Sequence, residues 1–231
     1  GLLFLFFINR KKVFSIEIEF LKKRFLSFFS FSFAVILSFS LGLLFLAVVA
    51  PPNNYDSMTY HMSRVEHWIQ NQSVFHYPTN ITRQLFSAPW AEFAILHFQI
   101  LSRSDFFANL VQWTSFLGVV IGVMAIVEKI GGGGVYVQTL AALLTASLPM
   151  GILQATTTQN DLVLSFWVVS FVYFLFQTIK NNNRSILPYV FLGLSVGIGF
   201  LTKATMIFFI VSFCSLGVLH LLCKREFKKY L

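Results

Sequence analysis

The chain has 231 residues, is 56% hydrophobic and 11% charged, and carries 29 phenylalanines and a net charge of +8. That composition excludes an ordinary water-soluble domain, and the long apolar runs match a hydrocarbon core roughly 30 Å thick. No short alternating segments of a transmembrane barrel are visible, so helices, which satisfy their own backbone, are the expected way across.

In chain order, residues 1–8 are apolar but too short to span, and no small-residue site of a cleaved signal peptide follows. Residues 1–24 read as a basic cytoplasmic segment. Beginning at Gly1 and ending in a basic tail at 223–231, the sequence reads as a fragment of a longer chain. About six spans are expected, near 25–50, 106–127, 135–153, 161–179, 187–202 and 204–222. The last two form one apolar stretch interrupted only by Lys203, too long for a single ordinary crossing, which predicts a tight reversal at Thr202–Lys203. Gly131 to Gly134 lack the strand and helix of a phosphate loop and read as a linker.

The basic residues test this topology. With the N-terminus inside, the cytoplasmic segments hold Arg10, Lys11, Lys12, Lys22, Lys23, Arg24, Lys129, Lys180, Arg184, Lys224, Arg225, Lys228 and Lys229. The outer segments hold only Arg64, Arg83, Arg103 and Lys203. This bias predicts a multi-pass protein of the cell membrane with a cytoplasmic N-terminus. It also accounts for the positive charge without a nucleic-acid partner. Cys214 and Cys223, in or beside the last span, argue against a disulfide framework. His61, His67, His76 and His97 have no compact metal-ligand spacing, which weighs against zinc and leaves any cofactor unspecified.

The outer loop at about 51–105 is the long connection, where binding and chemistry tend to sit. From Asp56 it has helical spacing: Met58, Met62, Val65 and Ile69 form an apolar stripe, with Asp56, Tyr60, Arg64 and His67 on a neighbouring polar face. Such a helix is expected to lie on the outer membrane surface, apolar side down, with Trp68 as an interfacial anchor. Asn53, Asn54 and Asp56 are all N-cap candidates, so Asp56 has a capping alternative to a chemical role. Asp161 opens the fourth span after Thr156-Thr157-Thr158-Gln159-Asn160, and Lys203 sits at the outer turn between the last two spans. Asp161 has its own capping alternative, Lys203 a snorkelling one, and Arg64 and Glu66 read equally as solvated surface charges. Convergence of sparse charges from separate segments on one face favours function, because ionisable groups at membrane depth are costly. Asn71-Gln72-Ser73 and Asn80-Ile81-Thr82 match outer-side glycosylation acceptors.

Three stretches together resemble the GT-C glycosyltransferases that use polyprenyl-phosphate sugars, nearest to the protein O-mannosyltransferases and lipid A aminoarabinose transferases of glycosyltransferase family 39. They are Asp56-Ser57-Met58-Thr59-Tyr60, Asn160-Asp161-Leu162-Val163-Leu164-Ser165-Phe166, and the run from Gly193 to Lys203 with its Leu201-Thr202-Lys203 end. The resemblance covers residues 25–222 and the N-terminal half of a typical member. The sequence departs from the family at Ser57, where a second acid is usual, and at Thr59. It departs again in the loop, where Tyr77-Pro78-Thr79 and Ala88-Pro89-Trp90 stand in place of a Lys-Pro-Pro-Leu element. What the resemblance implies is an all-α, polytopic membrane bundle that moves a sugar from a polyprenyl-phosphate donor to an acceptor hydroxyl on a glycan, lipid or protein. Asp56 would then be the catalytic base, with Tyr60, Arg64, Arg83, Asp161 and Lys203 binding substrate. A transporter with Asp161 and Lys203 as pathway charges is the competing class, and an inactive truncated copy a third reading.

Overall fold

A computed structural model of the chain describes residues 31–131, 134–179 and 185–227. The basic N-terminal segment, the start of the first expected span, Lys180, Arg184 and the last four residues lie outside the described residues. Within them the chain is helical and contains no strand, the all-α membrane bundle that composition predicts.

The apolar run after residue 30 forms α1 (Phe31–Val49), which ends before Pro51-Pro52, where a proline lacks the amide a helix needs. A π-helical turn (Ser57–His61) leads into α2 (Met62–Gln70), followed by the one-turn α3 (Arg83–Phe86) and α4 (Trp90–Ser102). The bundle continues with α5 (Leu110–Ile130), α6 (Gly134–Ala146), α7 (Pro149–Gln154), α8 (Asp161–Ile179), α9 (Leu187–Thr202) and α10 (Met206–Phe227). Of these, α1, α5 and α8 are long and apolar enough to cross a membrane; α6, α9 and Met206–Gly217 of α10 are shorter apolar helices.

Side-chain bonds fix the directions. Trp113 Nε1 donates to Ser40 O at 2.9 Å and Asn109 Nδ2 to Ala50 O at 2.9 Å, so α5 runs antiparallel to α1. Gln112 Oε1 accepts from Val163 N at 3.1 Å, satisfying an amide in the first turn of α8 that has no helical partner. Further along the same interface Gly118 meets Phe166 and Gly122 meets Val169, so α5 and α8 run parallel. Met206 packs with Leu164, and the Phe171 and Phe213 rings lie 6.3 Å apart, so α10 follows α8 and reverses α9. Hence the end of α1, the starts of α5, α8 and α10, and the end of α9 share one end of the bundle. The long loop 51–105 caps that end.

The interruption expected at Lys203 is present: α9 ends at Thr202, and Lys203 is extended, with φ −161° and ψ 131°. The unbroken span expected at 135–153 is not. Pro149 cannot supply the hydrogen bond of a continuing helix and drives Leu148 to ψ 119°, so α6 stops and α7 begins anew. The helix of this loop differs in part from expectation. Met62 and Val65 of the expected apolar stripe are buried, but Met58 and Ile69 are exposed, and His61, Arg64 and Trp68 are buried in their place. Two causes act: the wider π turn rotates the residues before Met62 relative to those after it, and Glu92 of α4 supplies a buried partner for the polar members. Trp68 is likewise no interfacial anchor but is buried and stacked on Phe93, ring centroids 5.1 Å apart.

The glycines of Gly118-Val119-Val120-Ile121-Gly122 let α5 and α8 approach closely. A Cβ on Gly118 would stand 2.4 Å from Phe166 Cδ2, and one on Gly122 2.3 Å from Val169 Cγ1. Gly118→Val is therefore expected to destabilise the bundle by about 1–3 kcal/mol. Gly42→Val, at a position with nothing within 4 Å, should leave the thermal midpoint in detergent near its original value. Equal midpoints for the two variants would show that the α5–α8 contact tolerates a side chain.

Candidate functional site

At the shared end, the π turn presents Asp56 and Tyr60 beside α3, the start of α8 and the α9–α10 turn. Capping falls to Asn54, whose Oδ1 accepts from Ser57 N at 2.7 Å. Asp56 is thereby left to face other groups: Arg83 Nη1 lies 3.6 Å from its Oδ1, and Gln159 Nε2 lies 3.5 Å from its Oδ2. Arg83 also lies over the Tyr60 ring, its Cζ 5.8 Å from the centroid. The carboxylate is one-third exposed and the guanidinium more than half, so both remain open to a ligand.

Asp161 is the first residue of α8, where the amide dipoles favour an anion. Its Oδ1 pairs with Lys203 Nζ, and its Oδ2 accepts from Gln154 Nε2 at 3.2 Å. Lys203 sits at the carbonyl end of α9, where a cation is favoured, so the pair complements two helix ends at once. Two ties join this pair to Asp56. Gln159, two residues before Asp161, reaches Asp56, and Thr158 N donates to the buried Ser57 Oγ at 3.3 Å. Asn160 Nδ2 donates to Thr202 O at 3.2 Å and holds the α8 and α9 ends together.

Tyr60 lies between these groups. Burial first, then the carboxylates of Asp56, Glu92 and Asp161, push its phenol up to about 12 against the opposing pull of Arg83. Near neutral pH it is therefore a hydroxyl donor rather than a phenolate base.

Five of the six residues singled out from sequence, Asp56, Tyr60, Arg83, Asp161 and Lys203, are thus gathered at one polar surface. Arg64 is not among them. It is 1% exposed, with Nε donating to Gln84 O at 2.6 Å, Nη2 to Arg83 O at 2.9 Å and Nη1 to Glu92 Oε1 at 3.5 Å. Its guanidinium is turned to backbone and a buried acid, away from the polar surface that gathers the other five. Glu92 also accepts from His61 Nδ1 at 2.8 Å. His61, Gln84, Glu92 and Gln159 join this network although their sequence context assigns them no part in it. Glu92 alone left a signal, as the single acid of the apolar α4.

A groove of about 960 Å³ between the end of α1, α2 and α4, lined by Met62, Ile69 and Ile100 and also by Glu66, Arg103 and Asp105, shares no residue with this surface. The candidate site is assigned to the polar surface instead, because there Asp56, Arg83, Asp161 and Lys203 converge in two exposed ion pairs from separate segments of the chain. Among the described residues no three His, Cys, Asp or Glu side chains gather as metal ligands do.

Comparison with curated proteins and with solved structures gives no match. The family model described as dolichyl-phosphate-mannose-protein mannosyltransferase matches residues 84–230, well over half of the chain. That segment contains Asp161 and Lys203 and begins one residue after Arg83; Asp56 and Tyr60 precede it. With both the helical membrane bundle and this match in place, the chain belongs to the dolichyl-phosphate-mannose-protein mannosyltransferase family and is a membrane glycosyltransferase of the GT-C type.

Proposed function

We propose that the protein moves a sugar from a polyprenyl-phosphate donor to a hydroxyl of a glycan, lipid or protein on the extracytoplasmic side of the cell membrane. The observation that carries this reading is the juncture of Asp56–Arg83 with Asp161–Lys203 through Gln159 at one end of the bundle. An acceptor hydroxyl attacks the anomeric carbon, a new C–O bond forms, and the bond to phosphate breaks. Asp56 takes the hydroxyl proton as that bond forms. Negative charge grows on the leaving phosphate, and Arg83 and Lys203 are the cations within reach to stabilise it. Asp161 orients Lys203, and the neutral Tyr60 offers a hydroxyl to sugar or phosphate.

In this reading residues 25–222 are one transmembrane unit of about six spans, with 1–24 and 223–231 in the cytoplasm. The opposed directions of α1 and α5, and of α8, α9 and α10 in turn, support that count. Membranes containing the full chain, given radiolabelled polyprenyl-phosphate mannose and then other polyprenyl-phosphate sugars, are expected to move label into a non-polyprenyl product. Label carried unchanged into sealed vesicles, with none transferred, would identify a transporter instead. Retention of label on the carrier without uptake would identify an inactive copy.

A further inference from the structure

We infer that Arg64, Glu92 and Gln84 form a buried clamp that positions Arg83 against Asp56, so that they set the grip on the donor phosphate without touching it. This rests on the proposed role of Arg83. The helix carrying Arg83 is a single turn, Arg83–Phe86, too short to hold its own shape in water. Its position must come from outside, and the planar fork of Arg64 supplies it by donating to the consecutive carbonyls of Arg83 and Gln84, at 2.9 and 2.6 Å.

The Gln84 side chain forms a second tether. Its Nε2 donates to Thr59 O at 2.8 Å, and its Oε1 accepts from Tyr77 Oη at 3.1 Å and Thr79 Oγ1 at 2.9 Å. Both tethers end on the stretch Thr59–Arg64, which continues directly from Asp56. The clamp therefore fixes the base-bearing turn and the arginine-bearing turn relative to each other. Glu92, fully buried, holds Arg64 from behind together with His61. Burying such a cluster is a poor way to gain stability, since apolar side chains of similar volume often do as well. What it does supply is a fixed direction for Arg83.

The test is a titration of the purified full chain with radiolabelled polyprenyl-phosphate mannose, reading dissociation constant and number of sites separately. A merely structural role lowers the number of competent sites and leaves their affinity alone. Arg64→Lys, which keeps the charge but loses the fork, is expected to weaken binding about tenfold with site number retained. Arg83→Lys should weaken it similarly, and the double variant should be no weaker than the worse single one. If Arg64→Lys does not accumulate as folded protein, Gln84→Met cuts the second tether and should show the same non-additive loss. Original affinity in Arg64→Lys, or in Gln84→Met where that substitutes for it, overturns the clamp when Arg83→Lys is impaired. So do losses that multiply in the double variant. Original affinity in Arg83→Lys itself overturns the phosphate role of Arg83 and the clamp with it.

Discussion

Asp56→Asn is expected to lower sugar transfer by about 10²–10⁴-fold, the range a positioned general base contributes. The substitution is nearly isosteric and removes one charge from a one-third-exposed carboxylate. Its structural contacts are an ion pair at 3.6 Å and an amide contact at 3.5 Å, both at the long limit and open to water. Exposed pairs of this kind contribute about 0–1 kcal/mol. Capping does not depend on Asp56 either, since Asn54 performs it. Protein abundance and thermal midpoint should therefore stay close to the original while transfer collapses. A variant that retains transfer would remove Asp56 as the base. A variant that loses both transfer and abundance would return it to a structural role.

The same distinction separates two kinds of charge at this end of the bundle. Arg83, Asp56, Asp161 and Lys203 keep between about one-third and three-fifths of their side-chain surface, and their partners come from different elements. Arg64 and Glu92 are fully withdrawn and serve each other and the backbone. A ligand phosphate can compete for the first set at small cost, because exposed ion pairs are weak. It cannot reach the second without unfolding the loop. Accessibility, rather than charge, marks which of these residues can meet a substrate.

Much of this was legible in the sequence, because membrane helices follow from hydropathy and helix ends from sparse polar residues. Lys203 inside an apolar stretch gave the α9–α10 reversal, and Asp161 after a run of threonines gave the start of α8. The convergence of Asp56, Asp161 and Lys203 followed from topology alone, since alternate connections lie on one side. Pro149 was visible too, but its consequence was missed: hydropathy does not change across 135–153, whereas the backbone does. The buried face of α2 and the turn before it was least legible. His61 and Arg64 bury beside Met62, Val65 and Trp68 only if an acid waits across the gap, and Glu92 lies 28 residues beyond Arg64. The π turn, which breaks the ideal period, leaves no compositional mark. The Gly118–Gly122 spacing is a close-approach pattern, but it does not say which helix packs there, and Phe166 and Val169 of α8 are the partners only the fold supplies.

Lys203→Ala is expected to lower transfer by about 10²–10³-fold, the loss seen when one preorganised group facing a developing charge is removed. The argument begins with two helix ends. Asp161 stands at the amide end of α8 and Lys203 at the carbonyl end of α9, so each charge is favoured where it lies even without the other. Both side chains are about two-fifths exposed, at 40% and 42%, so the pair adds little to stability and its loss should spare the fold. What the pair supplies is an ammonium aimed before the donor arrives, with Asp161 steadied in turn by Gln154. Lys203→Arg keeps the cation and should retain most transfer. Asp161→Asn keeps Lys203 but loosens its aim, and should fall between the two. If Lys203→Ala instead transfers sugar as the original protein does, the leaving phosphate does not rely on this end of α9. If Asp161→Asn is as inactive as Lys203→Ala, the carboxylate itself contacts the sugar, because loss of aim alone leaves the positive charge in place.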